Sequence, residues 1–258
     1  MPDLCPQIEA DRLIDLDLLR EAASRGTGRG VRIAILDTGV ETSHPALEGS
    51  VKGTYAIEAK GTRLECVPTE GADPVGHGTA CAGIIHTWAP EAEIHSVRVL
   101  GKSATGTGEQ FIYGLHWAID RGEFDLVNLS VGTLQQRFQA ALHELADHAY
   151  WKRTLLVAAA HNRQLVSYPA HFASLIAVES GTFENALAFN YRLERPVEIE
   201  AHGAYVRAPS PGGKYQMWTG TSFACPHITA IAARLRSVIP DLSPFELKTF
   251  LRCLRENR

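Results

Sequence analysis

The 258-residue sequence has no apolar run approaching the length of a membrane span, which takes about 20 residues. Its first residues, MPDLCPQIEADRL, open on acids and lack the basic start and apolar stretch of a secretory signal. Cysteines are few: the five are odd in number and without close pairing, the pattern of reduced thiols rather than of a disulfide framework. Neither sign of charge dominates, with 25 Lys and Arg against 29 Asp and Glu and a formal charge of −4. This balance gives no footing for nucleic acid or an anionic membrane as partner. These absences together predict a soluble cytoplasmic protein. No repeat, low-complexity tract or charge block divides the chain, so residues 1–258 are read as one domain, with 1–26 as an N-terminal extension.

What is present has α/β character. Continuous apolar runs recur at VRIAIL (31–36), IHSVRVL (94–100), LVNLSV (126–131) and LLVAAA (155–160). Helical segments lie between them at 78–88, 109–122 and 138–153. Apolar strands alternating with helices predict a mostly parallel central sheet covered by helices on both faces. Two more helices follow. SFACPHITAIAARLRSVI (222–239) is expected to hold Pro226 in its first turn. SPFELKTFLRCL (243–254) opens on a capping box of Ser243 and Glu246, with Pro244 at the first helical position.

The stretch GTGRGVRIAILDTGV (26–40) carries both glycines and a carboxylate. A dinucleotide fingerprint places its glycines after the strand, whereas Gly26, Gly28 and Gly30 precede this one. The group delivered at the strand end is therefore Asp37. Two other segments hold candidate chemistry: GHGTACAG (76–83) puts His77 at a helix entry, and GTSFACPH (220–227) puts Ser222 at the start of the long helix. A histidine among eleven, a serine at a helix start and an aspartate in a turn are each commonplace alone. In the order Asp, His, Ser they match one of the known arrangements of a nucleophilic triad.

ILDTGVETSHPAL, HGTACAGI and GTSFACPHITA resemble the three motifs of the subtilisin-type serine proteases, or subtilases, and the resemblance runs from about residue 27 to about 250. It implies a three-layer α/β fold and a peptide or protein substrate. It also implies roles. Ser222 would be the nucleophile, His77 the base that takes its proton, and Asp37 the group that orients the imidazole. The oxyanion would be held by the Ser222 backbone amide and, from VAAAHNRQ (157–164), by Asn162. Substrate backbone would pair as an added strand with Ser130, Val131 and Gly132 and with Gly106, Thr107 and Gly108.

The chain also departs from the family pattern. The segment GTACAGIIHTWAPEAE after His77 has no room for the loop that builds the strong calcium site, so no metal or other cofactor is expected. His161 stands where a glycine usually lines the S1 pocket, and the wall from Asn162 to Tyr168-Pro169 is short. His202 replaces a frequent proline, and Cys81 and Cys225 fall within the His77 and Ser222 motifs. Only 36 residues precede Asp37, fewer than the usual inhibitory prodomain. With no signal peptide, this gives the expectation of an intracellular protease that folds unaided, or of a chain trimmed of its precursor; any protein regulator stays unspecified. Rival motifs fail: HELADH (143–148) spaces its histidines one residue too far for a zinc helix, and NLSVG lacks the leading glycine of an esterase elbow. A leader-peptide maturation protease and a non-catalytic peptide-binding scaffold remain the alternatives.

Overall fold

A computed structural model describes residues 15–255; residues 1–14 of the expected extension lie outside the described residues. Its centre is a nine-stranded sheet. The strands are β1 (Arg32–Asp37), β2 (Val51–Lys60), β3 (Arg63–Pro68), β4 (Glu93–Arg98), β5 (Leu126–Leu129), β6 (Leu155–Ala159), β7 (Ile176–Gly181), β8 (Phe189–Tyr191) and β9 (Ile199–His202). They are ordered β3-β2-β4-β1-β5-β6-β7-β9-β8. The pairings from β2 to β9 across the middle are parallel, and antiparallel pairs, β2 with β3 and β8 with β9, close the two edges. A separate antiparallel ribbon joins β10 (Val206–Ser210) to β11 (Lys214–Trp218).

Six helices complete three layers: α1 (Leu16–Arg25), α2 (His77–Trp88), α3 (Gly108–Asp120), α4 (Gln139–Trp151), α5 (Thr221–Val238) and α6 (Pro244–Leu254). Alternation along β1 shows how they divide. Ile33 and Ile35 pack into a core with Leu19 of α1, Ile85 of α2, Ile228 of α5 and Leu247 of α6. Ala34 and Leu36 pack on the other face with Leu115 of α3 and Leu142 of α4. A strand buried on both faces has to read as a continuous apolar run, which is why these central strands stood out in the sequence. Half-exposed β2 and β3, joined by a turn at Gly61 with φ of 65°, did not.

From β1 the sheet grows through β4 and β2 on one side and through β5, β6 and β7 on the other. β1 therefore sits at a topological switch point, where connections leaving the carboxyl ends of adjacent strands open a crevice. Asp37, the last residue of β1, is delivered to that crevice.

Residues 16–25 of the N-terminal extension form a helix that packs onto the fold. Asp15 caps α1 by accepting from Asp17 and Leu18 N–H at 3.0 Å each, and Leu19 and Ala22 are buried. Arg234 of α5 then ties this helix down, donating to Ala23 O at 2.6 Å, to Ser24 O, and to Trp88 O at the end of α2 at 2.9 Å. Gly26 is required there, because a Cβ would stand 2.1 Å from Arg234 O. Pro226 lies in the second turn of α5, its sixth residue, rather than in the first. At the C-terminal end, Lys248 of α6 directs its ammonium at Ala173 O (2.9 Å), Leu175 O (3.1 Å) and the Glu198 carboxylate (2.7 Å).

Candidate active site

Asp37 is almost wholly buried, at 1% exposure. Its Oδ1 accepts from Thr38 N–H at 2.7 Å and lies 2.7 Å from His77 Nδ1. His77 is the first residue of α2, behind Gly76, whose φ of 91° places it in the left-handed region. The next residue, Gly78, allows the close approach: a Cβ there would meet Gly39 O at 2.1 Å and the Asp37 Cβ at 3.0 Å. Burial disfavours the His77 imidazolium, but the charge and hydrogen bond of Asp37, with the charge of Asp73, outweigh it and raise its pKa above the ordinary 6.5. Nδ1 bound to the carboxylate leaves Nε2 for proton exchange.

Asp73 was not singled out from sequence, yet it anchors this corner. Its Oδ1 accepts from Thr38 Oγ1 (2.8 Å), Val75 N–H (3.1 Å) and Gly76 N–H (2.8 Å). Its Oδ2 accepts from Thr79 N–H (2.8 Å) and Thr79 Oγ1 (2.7 Å). One buried carboxylate thus caps the N-terminus of α2 and locks it to the residue after Asp37. The visible signal was an aspartate three residues before a glycine at a helix entry, a side chain placed to cap.

Ser222 is the second residue of α5, so its amide is among the N-terminal donors that have no intrahelical acceptor. Its hydroxyl donates to Ser130 O at 3.3 Å and, among the described residues, not to His77. Pro226 four residues on has no N–H to give the Ser222 carbonyl. That carbonyl instead accepts from Ser130 Oγ at 2.9 Å, and Cys81 Sγ lies 3.4 Å from it. Ser130 Oγ in turn accepts from Asn128 Nδ2 at 3.0 Å. Asn128 and Ser130 therefore fasten the start of α5 to the end of β5. Burial, then the charge of Asp37, push the Cys81 thiol up, and burial does the same for Cys225; both stay protonated. Asp37, His77 and Cys81 bring ligand atoms within 4.8 Å of one another.

Asn162 lies just past the end of β6. Its Oδ1 accepts from Thr221 N–H at 2.9 Å and from Thr221 Oγ1 at 3.2 Å. With the oxygen committed, the Nδ2 donor is the end left to point elsewhere. A cavity of about 140 Å³ brings together Ser130, Val131, Gly132, His161, Asn162 and Ser222. His161 borders it with Nδ1 turned back to accept from Arg163 N–H at 3.2 Å. Gly106, Thr107 and Gly108 do not line this cavity. They form the entry to α3, where Thr107 N–H donates to Gln110 Oε1 at 3.1 Å in a capping box. Gly106 and Thr107 are exposed backbone beside it. A larger cavity, about 760 Å³, lies between α3 and α4 and touches none of Asp37, His77, Asn162 and Ser222.

This arrangement has known counterparts. A family model described as Subtilase family matches residues 28–253. The chain is 34% identical over 245 residues to Subtilisin Savinase of Lederbergia lenta, covering 90% of this chain and 86% of that protein. It is equally similar to M-protease of Shouchella clausii (strain KSM-K16), where the match covers 90% of this chain but only 60% of the relative's length. Among solved structures, Sphericase superposes with a TM-score of 0.76 at 26% identity, covering 91% of this chain and 87% of that one.

Proposed function

The chain belongs to the subtilase family of serine proteases, and from that premise we propose that it is a serine endopeptidase acting on peptide or protein substrates. The observation that carries this reading is the Asp37–His77 pair at 2.7 Å, together with Ser222 and Asn162 on the wall of one cavity. Ser222 Oγ attacks the scissile carbonyl carbon as its proton passes to His77 Nε2. The new oxyanion is held by Ser222 N–H, at the positive end of α5, and by Asn162 Nδ2. Collapse expels the amine, which takes the proton from His77, and water then releases the acyl group from Ser222 by the same steps. Substrate backbone lies between the 130–132 segment and the 106–108 segment, where Gly106 and Thr107 are exposed and Gly108 is half-buried at the start of α3.

The free thiols of Cys66, Cys81 and Cys225 favour a reducing, cytoplasmic setting, and among the described residues no helix is long and apolar enough to cross a membrane. A fluorophosphonate probe tests the chemistry directly. It is expected to label Ser222 in the folded protein, and a peptide-library digest is expected to show internal cleavage. The base must be neutral to accept a proton, and the His77 pKa is raised. Labelling should therefore slow as pH falls through a value above 6.5. Folded protein that takes no label would be a peptide-binding scaffold and not an enzyme.

The strong calcium site of the family does not fit this chain. Only residues 89–92 join α2 to β4. The carboxylates in that region are already engaged, Glu91 with Arg29 (2.5 Å) and Thr27 Oγ1, and Glu93 with Arg32 (3.2 Å). Calcium takes about six to eight oxygens. The melting temperature is expected to be nearly equal in calcium and in excess chelator, with activity surviving chelation. A drop of about ten degrees or more on chelation would reveal a strong site elsewhere, since an ion bound only to the native state stabilises it by mass action.

A further inference from the structure

The 140 Å³ cavity beside Ser222 contains a polar atom that nothing in the fold employs. Ser167, 3% exposed, is one of its lining residues, and Ser167 Oγ is buried with no hydrogen-bond partner among the described residues. Buried hydroxyls are normally paired, and one left unpaired carries a desolvation cost. A hydroxyl unsatisfied in the free protein, on the wall of a cavity next to the nucleophile, is placed to be satisfied by whatever enters.

What enters is constrained by the rest of the cavity. Ser222 and Asn162 both border it, so the side chain it admits belongs to the residue whose carbonyl is attacked. Its two long walls are pinned to each other: Thr133 N–H donates to Tyr168 O at 2.9 Å, and Tyr168 N–H donates to Thr133 O at 2.8 Å. Gly132 is squeezed against the same wall, where a Cβ would stand 3.1 Å from Tyr168 O. The space cannot widen without breaking that bridge. Val131, Leu134, Ala159 and Ala160 supply apolar lining, and no carboxylate, lysine or arginine is among the lining residues. A cationic side chain would be desolvated there with no carboxylate to pair with, and an anionic one would have only the His161 imidazole on the wall beside it, at a large cost. An apolar side chain would fill the space but leave the hydroxyl orphaned. A side chain with an apolar stem and a neutral hydrogen-bonding end satisfies both. A carboxamide suits Ser167 in particular, because a hydroxyl can donate to its oxygen or accept from its nitrogen.

We propose that Ser167 is a specificity-determining residue that makes this site prefer asparagine or glutamine at the residue whose carbonyl is attacked. The proposal rests on the peptidase reading above and names its substrate class. A site built to hydrogen-bond a substrate group discriminates strongly against the analogue lacking it.

The test uses four fluorogenic peptides identical except at that residue, pairing asparagine with leucine and glutamine with methionine as near-isosteres. The full-length chain should favour each carboxamide over its apolar partner by about tenfold in kcat/KM, the size of one unmade buried hydrogen bond. Ser167→Ala should bring both ratios close to one, chiefly by slowing the carboxamide substrates. Because the hydroxyl has no partner in the free protein, the melting temperature of this variant should not fall. Should Ser167→Ala fail to fold, Ser167→Cys keeps the shape with a weaker donor and should give ratios between the two. Ratios that are the same in wild type and variant would overturn the role of Ser167 while leaving the peptidase reading intact. A wild-type protein that cleaves none of the four peptides and takes no fluorophosphonate label would overturn both.

Discussion

Ser222→Ala is expected to lower kcat for peptide hydrolysis by about 10⁶-fold, the loss measured when the corresponding serine is removed from subtilisin, and to abolish fluorophosphonate labelling. The substitution deletes one oxygen atom whose only hydrogen bond among the described residues is a long one, 3.3 Å to Ser130 O. The anchors of the helix itself are untouched: the Ser222 carbonyl keeps Ser130 Oγ, and Thr221 keeps Asn162. Stability should therefore change little, and the whole effect should appear in chemistry. The residual rate would come from substrate positioning and the oxyanion donors, about 10³–10⁴ above the uncatalysed reaction. His77→Ala should cost nearly as much, and the double variant little more, because nucleophile and base act as one unit. Stopped assays over long incubations with purified protein can measure rates this low. Hydrolysis within a hundredfold of wild type, or label still attached to the alanine variant, would remove Ser222 from the role of nucleophile.

Asn162→Ala should reduce kcat by about 10²–10³ with KM almost unchanged. The amide has two ends with different tasks. Its oxygen holds Thr221 N–H at 2.9 Å and Thr221 Oγ1 at 3.2 Å, while its nitrogen is the donor left for a charge that develops only during the reaction. Alanine removes both ends, so a loosened helix start could imitate a lost catalytic hydrogen bond. Asn162→Asp separates them, since it keeps an oxygen for Thr221 but replaces the donor with a negative charge. If the donor matters, the aspartate variant is at least as slow as the alanine one. Recovery of wild-type kcat in Asn162→Asp would make Asn162 a structural anchor alone. A loss confined to KM would mean that it binds ground-state substrate.

The legible parts of this molecule are those where geometry leaves the sequence few choices. Strands buried on both faces, such as β1 and β6, must be apolar throughout. The approach of α2 to Asp37 admits only glycine at position 78, so Gly78 stands next to His77 and makes that motif visible. The capping box of Ser243 and Glu246 formed as read. What stayed hidden depends on partners distant in sequence. Asp73 is an ordinary loop aspartate until the fold brings Thr38 against it. Pro226 looked like a first-turn proline because the helix start was placed from the serine, whereas Thr221, held by Asn162, begins it. Helix α1 is short and half polar, and Leu19 and Ala22, with Ala23 beside them, mark its packed side. Ser167 gives no signal at all, because an unpaired hydroxyl can be recognised only once everything around it is known.

Lys248 gives the C-terminal helix a significance beyond packing. Its ammonium gathers two backbone carbonyls and a carboxylate, a set of hard oxygens of the kind that elsewhere recruits a dissolved ion. Here the cation is carried by the chain. Its effective concentration is fixed by where α6 docks rather than by the surrounding medium. No dilution, chelator or change of electrolyte can carry it off while the helix stays in place. Residues 173–175 follow soon after Ser167 and Tyr168, so the segment leaving a wall of the proposed selectivity cavity is stapled to α6. One ammonium thus couples the segment that follows this wall to the position of α6.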